Sequence, residues 1–149
     1  MPESSILTEE MLKAIGMETK PATYEIEKGH IRRFAEAIGD SNVLFTDENA
    51  ARKTRYGSLI VPPTFFRALL SSDLPPVVSE KLRKLDGGSQ WEYFEPVRPG
   101  DRITVTAKYV SFTTRQGRMG EMLLVVVEIT YKNQFDEVAA TQRTTSIRY

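Results

Sequence analysis

Apolar residues recur along this chain with two different periods, and the change falls near residue 87. Before it the spacing is helical. In EKGHIRRFAEAIGD, Ile31, Phe34, Ala35 and Ile38 stand at i, i+3, i+4 and i+7, with Arg32, Arg33 and Glu36 on the other side and Gly39 at the end. That spacing predicts an amphipathic helix. A shorter helix is predicted upstream, where Thr8 stands as cap, acids fill the first turn, Met11, Leu12 and Ile15 share a side and Gly16 closes the run. Between the two, ATYEIE alternates as a strand with Tyr24 and Ile26 on one face. PPTFFRALLSS predicts a third helix with proline in the first position, where its missing N–H costs nothing. Phe65, Phe66, Ala68, Leu69 and Leu70 make that helix apolar nearly all round, as a buried helix is, and DLPP stops it.

From Gly87 onward the period is two. SQWEYFEPV, DRITVTAKYVSFTTR, EMLLVVVEITYKN and EVAATQRTTSIRY are rich in β-branched and aromatic residues and predict four strands. Ile103, Val105, Ala107 and Tyr109 alternate with Arg102, Thr104, Thr106 and Lys108, which gives one face to a core and the other to water. RPGD, RQGRMG and NQFDE are short enough for hairpin-like connections. Helices and one strand followed by four consecutive strands predict the α+β class, with a long antiparallel sheet wrapped around the apolar helix. No repeat or linker divides the chain, so residues 1–149 are expected to form one domain, with residues 1–19 as an N-terminal helical extension.

Composition narrows the chemistry. A chain of 149 residues can bury a single core without metals or disulfides. Lysine plus arginine and aspartate plus glutamate each count 20, so no net field recruits nucleic acid. The absence of cysteine removes disulfides, thiolate metal sites and a cysteine nucleophile, and a single histidine, His30, is too little for a histidine-based metal site. MPESSILTEEMLKAIG carries acids where a signal peptide carries cations, and no apolar run reaches membrane-spanning length. A cytoplasmic protein with no membrane insertion is expected.

Residues 40–62 are polar, rich in Asn, Asp and Gly, and without a sustained period; they predict a structured loop with one helical turn at residues 48–53. Loops of this length in a small domain tend to be functional. The runs FAEAIGDSN, FTDENAA, YGSLIVPPTF and EYFEPVRPGDRITVTAKYV, in that order, with a long closing hairpin, resemble the MaoC-like hydratase/dehydratase family over residues 20–149. The resemblance is strongest to its N-terminal, fatty-acid-synthase-type dehydratase branch. It implies a single hot-dog domain in which the sheet wraps a central helix beginning at Pro62 or Pro63, and pairing of two such units into one larger sheet. It also implies addition or removal of water across the C2–C3 bond of an acyl chain held as a thioester of coenzyme A or acyl carrier protein, with no other cofactor and no metal.

In catalytic members of that family the loop reads aspartate, any residue, asparagine, proline, any residue, histidine, and the aspartate and histidine hold one water between them as acid and base. Here it reads Asp40, Ser41, Asn42, Val43, Leu44, Phe45. Asp40 and Asn42 match; Val43 replaces the proline and Phe45 the histidine. Phenylalanine moves no proton, and losing one such participant costs about 10²- to 10⁴-fold in rate. Asp40 has a structural reading beside the catalytic one, since an aspartate after a helix-ending glycine commonly bonds the backbone ahead of it. His30 lies ten residues before Asp40, about 14 Å away along a helix, and is expected at the wrong end to replace the missing histidine. Family members polarise the thioester carbonyl with backbone N–H groups at the central helix start. Pro62 and Pro63 occupy the family's histidine–glycine pair, and the amide of Thr64 remains as donor. Asn42, Phe45, Tyr56, Gly57, Thr64 and Phe65 are the residues expected to hold substrate. Arg52, Lys53 and Arg55 form a basic cluster suited to the phosphates of coenzyme A or to an acidic carrier protein, or are ordinary surface charge.

Three readings follow. The chain is a substrate-holding partner of a second hot-dog chain that carries the aspartate and histidine; or a homodimeric hydratase using Asp40 with a substitute such as Tyr56 or Glu48; or an acyl-thioester binding protein without chemistry of its own.

Overall fold

Ile103, Val105, Ala107 and Tyr109 are buried and the residues between them are half-exposed, as their alternation requires. They belong to a five-stranded antiparallel sheet, the centre of a computed structural model that describes residues 5–149. The first four residues of the expected N-terminal extension lie outside the described part. The strands are β1 (Ala22–Glu25), β2 (Lys84–Tyr93), β3 (Arg102–Gly117), β4 (Gly120–Lys132) and β5 (Val138–Arg148), in the spatial order β1-β3-β4-β5-β2. The last three form a meander, and β1 and β2 are the two edges.

Two irregularities set which side chains face inward. Val110 is an extra residue between the Tyr109↔Val127 and Ser111↔Val126 pairings, a β-bulge that returns Phe112 to the same face as Tyr109. The second corrects the sequence reading. Gly87 and Gly88 do not precede the second strand but lie inside it, where the register shifts between Asp86 and Ser89. A Cβ on Gly87 would stand 3.0 Å from the carbonyl oxygen of Thr145, and Gly88 has φ +107°, so the bulge needs both glycines.

Four short helices precede β2: α1 (Glu9–Ala14), α2 (Lys28–Ala37), α3 (Val43–Thr46) and α4 (Glu48–Arg52). Thr8 caps α1 as expected, its hydroxyl accepting the Met11 N–H at 3.3 Å. Met11 and Ala14 are buried, whereas Leu12 lies on the exposed side of the helix, and Ile15, also exposed, has already left the helix to bridge Tyr109 of β3. In α2, Ile31 and Ala35 are buried and Phe34 is half-buried; Ile38 is the cap residue and remains 48% exposed.

The central helix is shorter than its sequence predicts. It is a six-residue 3₁₀-helix, Pro63–Ala68, and Leu69 after it is extended at φ −95°, ψ 92°. Phe65, Phe66 and Leu69 all enter the core. Leu70 is exposed. The sheet's inner face packs Val105 and Tyr131 against this short helix and against Ile31, Ala35 and Phe45, which forms the main core. A second apolar cluster joins Met11, Phe112, Leu123 and Val125 beneath α1.

Candidate functional site

The loop after α2 is a chain of backbone caps, each made by one of the residues singled out by their types. Gly39 takes φ +69°, the left-handed conformation that ends α2. Its N–H donates to the Glu36 carbonyl at 3.1 Å, and the Asp40 N–H donates to the Ala35 carbonyl at 2.9 Å. These two bonds make a Schellman motif and fix where Asp40 stands. Oδ1 of half-buried Asp40 accepts the Asn42 N–H at 3.0 Å. Oδ1 of Asn42 accepts the Leu44 N–H at 3.0 Å and so caps α3. Asp47 caps α4 by accepting the Ala50 N–H at 3.0 Å. Phe45, on α3, is buried in the main core.

The basic cluster separates in space. Glu48 accepts from Lys28 at 3.3 Å and from Arg52 at 3.1 Å. The Lys28 hydrogen bond and charge, joined by Arg52, hold the Glu48 carboxyl below its ordinary pKa. Lys53 is exposed at the end of α4. Arg55 turns back: its guanidinium lies over the Tyr56 ring, 4.8 Å from the centroid, and donates to the Tyr56 hydroxyl at 2.7 Å. Arg98 holds this turn from the sheet side, Nε donating to the Tyr56 carbonyl at 3.0 Å. Gly57, at φ +68°, lets the chain reverse after it.

Arg55 and Tyr56 face an apolar cleft of about 440 Å³ whose other walls are Pro63, Phe66, Tyr93 and Phe94. The size is ordinary for a small-molecule site. Under the cleft, Phe66 meets Tyr131 edge-on at 5.1 Å, and Trp91 stacks on Tyr93 at 6.0 Å with nearly parallel rings. The Tyr93 hydroxyl donates to the Pro63 carbonyl at 3.2 Å, which ties the edge strand β2 to the start of the 3₁₀-helix. Burial, the dominant cause, holds the Tyr131 phenol far above its ordinary pKa; Arg67 opposes this and Tyr93 adds to it.

Of the residues expected to hold substrate, the cleft thus collects Tyr56 and, from the basic cluster, Arg55. Asp40, Asn42, Gly57, Thr64 and buried Phe45 and Phe65 do not line it, nor do Arg52 and Lys53. Thr64 is exposed in the first turn of the 3₁₀-helix, behind a proline cap that makes no side-chain bond. His30 is exposed in the first turn of α2, with its ring against the edge of Phe65 at 5.1 Å. Sequence reasoning missed Tyr93, Phe94 and Glu95 as cleft residues. Their signal was present in EYFEPV, an aromatic and acidic cluster at the end of a strand. Among the described residues, no three histidine, cysteine, aspartate or glutamate side chains gather as metal ligands, and no helix is long and apolar enough to cross a membrane.

Comparison with known proteins fits this arrangement. The crystal structure of a MaoC-like dehydratase from Rhodospirillum rubrum superposes with a TM-score of 0.74 at 23% identity, covering 91% of this chain and 92% of that one. The ChsH1-ChsH2 complex from Mycobacterium tuberculosis gives 0.78 at 18% identity, covering 94% and 91%. These likenesses define the fold as the hot-dog fold of dehydratases and hydratases. By sequence, a UPF0336 protein of Streptomyces avermitilis is 39% identical over 100 residues, 63% of this chain and 67% of that protein. A probable enoyl-CoA hydratase alpha subunit of Thermomonospora curvata is 30% identical over 138 residues, 80% of this chain and 43% of that protein. The family described as FAS1-like, dehydratase domain region, matches residues 13–142, and the chain belongs to this MaoC-like family.

Proposed function

We propose that this chain is the substrate-holding half of a two-chain acyl-thioester dehydratase or enoyl hydratase, whose catalytic aspartate and histidine come from a second hot-dog chain. The observation that carries the reading is the loop itself. Its framework is intact from Gly39 to Asn42, while the histidine position is Phe45, buried in the core. Asp40 has no imidazole to share a water with, and general acid–base catalysis of hydration needs both partners. The apolar cleft beside Tyr56 and Phe66 suits an acyl chain, and Arg55 on its wall suits the phosphates of the carrier.

A route to a partner is also present. β2 is a ten-residue edge strand that pairs with β5 alone, which leaves its outer backbone groups as a template for another strand. Two solved structures of the same fold are complexes of two chains, the ChsH1-ChsH2 complex and the HadBC (3R-hydroxyacyl-ACP dehydratase) complex of Mycobacterium tuberculosis. Self-sufficient hydration has less support: Glu48 is held by Lys28 and Arg52, and the Tyr56 hydroxyl already accepts from Arg55.

The test follows hydration of a medium-chain enoyl-CoA by loss of the conjugated thioester absorbance. Purified chain is assayed alone, then with a second hot-dog protein of its host that retains the aspartate and histidine. Turnover only in the mixture is expected. Steady turnover by the chain alone overturns the two-chain reading.

A further inference from the structure

The expected central helix stops at Ala68, and beyond it Leu74, Val77 and Val78 pack over the inner face of the sheet. Ser71, Leu74 and Val78 rim a cavity of about 410 Å³ over that face. It shares no residue with the cleft beside Tyr56. Its floor is divided by strand. Tyr109 of β3 pairs with Val127 of β4, and Phe112 with Val125, so this half is apolar. Opposite these, Val127 pairs with Thr144, Val125 with Ser146 and Leu123 with Arg148 on β5. Edge strand β2 extends the same rows with Ser89, Asp86 and Lys84. An inner face that would normally be apolar throughout thus changes character in the middle of these three rows.

The polar half is organised around a cation. Nε of Arg148 is buried and has no hydrogen-bond partner among the described residues. A guanidinium atom in that state costs free energy unless something accepts from it. Tyr109 feels the charge of Arg148, but its hydroxyl, which donates to the Pro75 carbonyl at 2.9 Å, is not a hydrogen-bond partner of Arg148 Nε. Arg67 and Lys84 add two more cations to the wall, and none of the three enters an ion pair among the described residues. The one acid there, Asp86, accepts the Gly88 N–H at 2.8 Å. Ser89 and Thr144 are joined at 3.1 Å, and Gln142 donates to Ser89 at 3.1 Å, so this part of the polar wall is already satisfied.

We propose that this cavity binds an amphipathic carboxylate, with its apolar body on Tyr109, Val125 and Val127 and its carboxylate on Arg148, supported by Lys84 and Arg67. The planar guanidinium fork matches a carboxylate in two-point contact, and a site closed to water on one side strengthens the pairing. The proposal does not depend on the thioester reading of the first cleft. The carboxylate belongs either to a free fatty-acid-like molecule or to the far end of an acyl chain whose other end is a thioester.

The experiment is an amide chemical-shift titration of the ¹⁵N-labelled full chain with octanoate and, separately, with octanol, which has the same body without the charge. Saturable shifts at residues 144–148 are expected, with octanoate binding at least tenfold tighter than octanol. Arg148→Met is expected to abolish the difference, while Lys81→Met, away from the cavity, keeps it. Should Arg148→Met not fold, the two titrations of the unaltered chain decide the matter by themselves. Equal affinity for the two probes, or no response at residues 144–148, overturns the site. So does coenzyme A alone producing the same shifts, which would assign the cations to carrier phosphates. The carboxylate-terminated eight-carbon acyl-CoA binding tighter than octanoyl-CoA assigns the carboxylate to an acyl tail; octanoate binding with no preference between the two thioesters assigns it to a free acid. Octanoate binding without any response to acyl-CoA at either cavity leaves this site standing and removes support from the thioester function.

Discussion

The backbone N–H of Asn42 donates to Oδ1 of Asp40 at 3.0 Å, so Asp40, which we propose matches the family's catalytic aspartate, holds its own loop in place. Asp40→Asn keeps an acceptor at that position and removes the charge. In the two-chain assay its rate is expected to stay within tenfold of the unaltered chain, against the loss of about 10²- to 10⁴-fold that removing a general acid or base brings. A loss in that larger range would place proton transfer on this chain.

Gly39 carries the geometry that brings Asp40 to its position. A side chain at φ +69° costs roughly 1–2 kcal/mol, so Gly39→Ala is expected to lower the free energy of unfolding by about that much. Urea denaturation followed by circular dichroism checks it. An unchanged midpoint would mean that the turn relaxes without Asp40 losing its place.

Restoring the family's histidine is not expected to restore catalysis. Phe45 is buried among Ile31, Phe65 and Val61 in the main core, where an imidazole lacks both the volume and a partner. Phe45→His is expected to destabilise the fold by about 3 kcal/mol, which lowers Tm by roughly 6–12 °C at this chain length. Hydration by the variant alone should remain at background. Calorimetry and the enoyl-CoA assay read the two effects separately, and activity appearing without a partner would contradict the buried placement.

Arg55 and Arg52 are close in sequence but differ in what holds them. Arg55 lines the cleft, and Arg52 is paired with Glu48. Arg55→Met is expected to raise KM for an enoyl-CoA by about five- to tenfold in the two-chain assay with kcat little changed, the signature of lost uniform binding. Arg52→Met should leave both constants near their original values. Equal effects would point to general surface charge.

Burial raises the pKa of the phenols of Tyr131 and Tyr109. Above pH 10 the unfolded chain loses these protons while the folded chain keeps them, so the folded state binds more protons and stability falls as pH rises. The contribution is fully present below about pH 10. It declines above that pH by up to about 1.4 kcal/mol per pH unit for each phenol. Thermal unfolding between pH 8 and 11.5 should show this slope, and Tyr131→Phe should reduce it. A slope unaffected by that substitution would assign alkaline unfolding to other groups.

Local pattern determined much of this protein. The period-two runs became β3, β4 and β5, the 3.6-residue spacing became α2, Thr8 became a cap and Gly39 a terminator, because each depends on neighbours within a few residues. The order FAEAIGDSN, YGSLIVPPTF, EYFEPVRPGD was enough for the family. Tertiary structure decided where these pieces stop and what they face. PPTFFRALLSS has the apolar content of a buried α-helix, yet seating Phe65, Phe66 and Leu69 against the sheet leaves only a 3₁₀ turn. Gly87 and Gly88 read as a strand boundary, yet the approach of Thr145 made them a bulge inside β2. Arg55 and Arg52 are alike as sequence, and contacts with Tyr56 and Glu48 separate them. The cleft and the cavity beside Arg148 gather residues from distant segments, and such long-range packing leaves no periodic trace in any one of them.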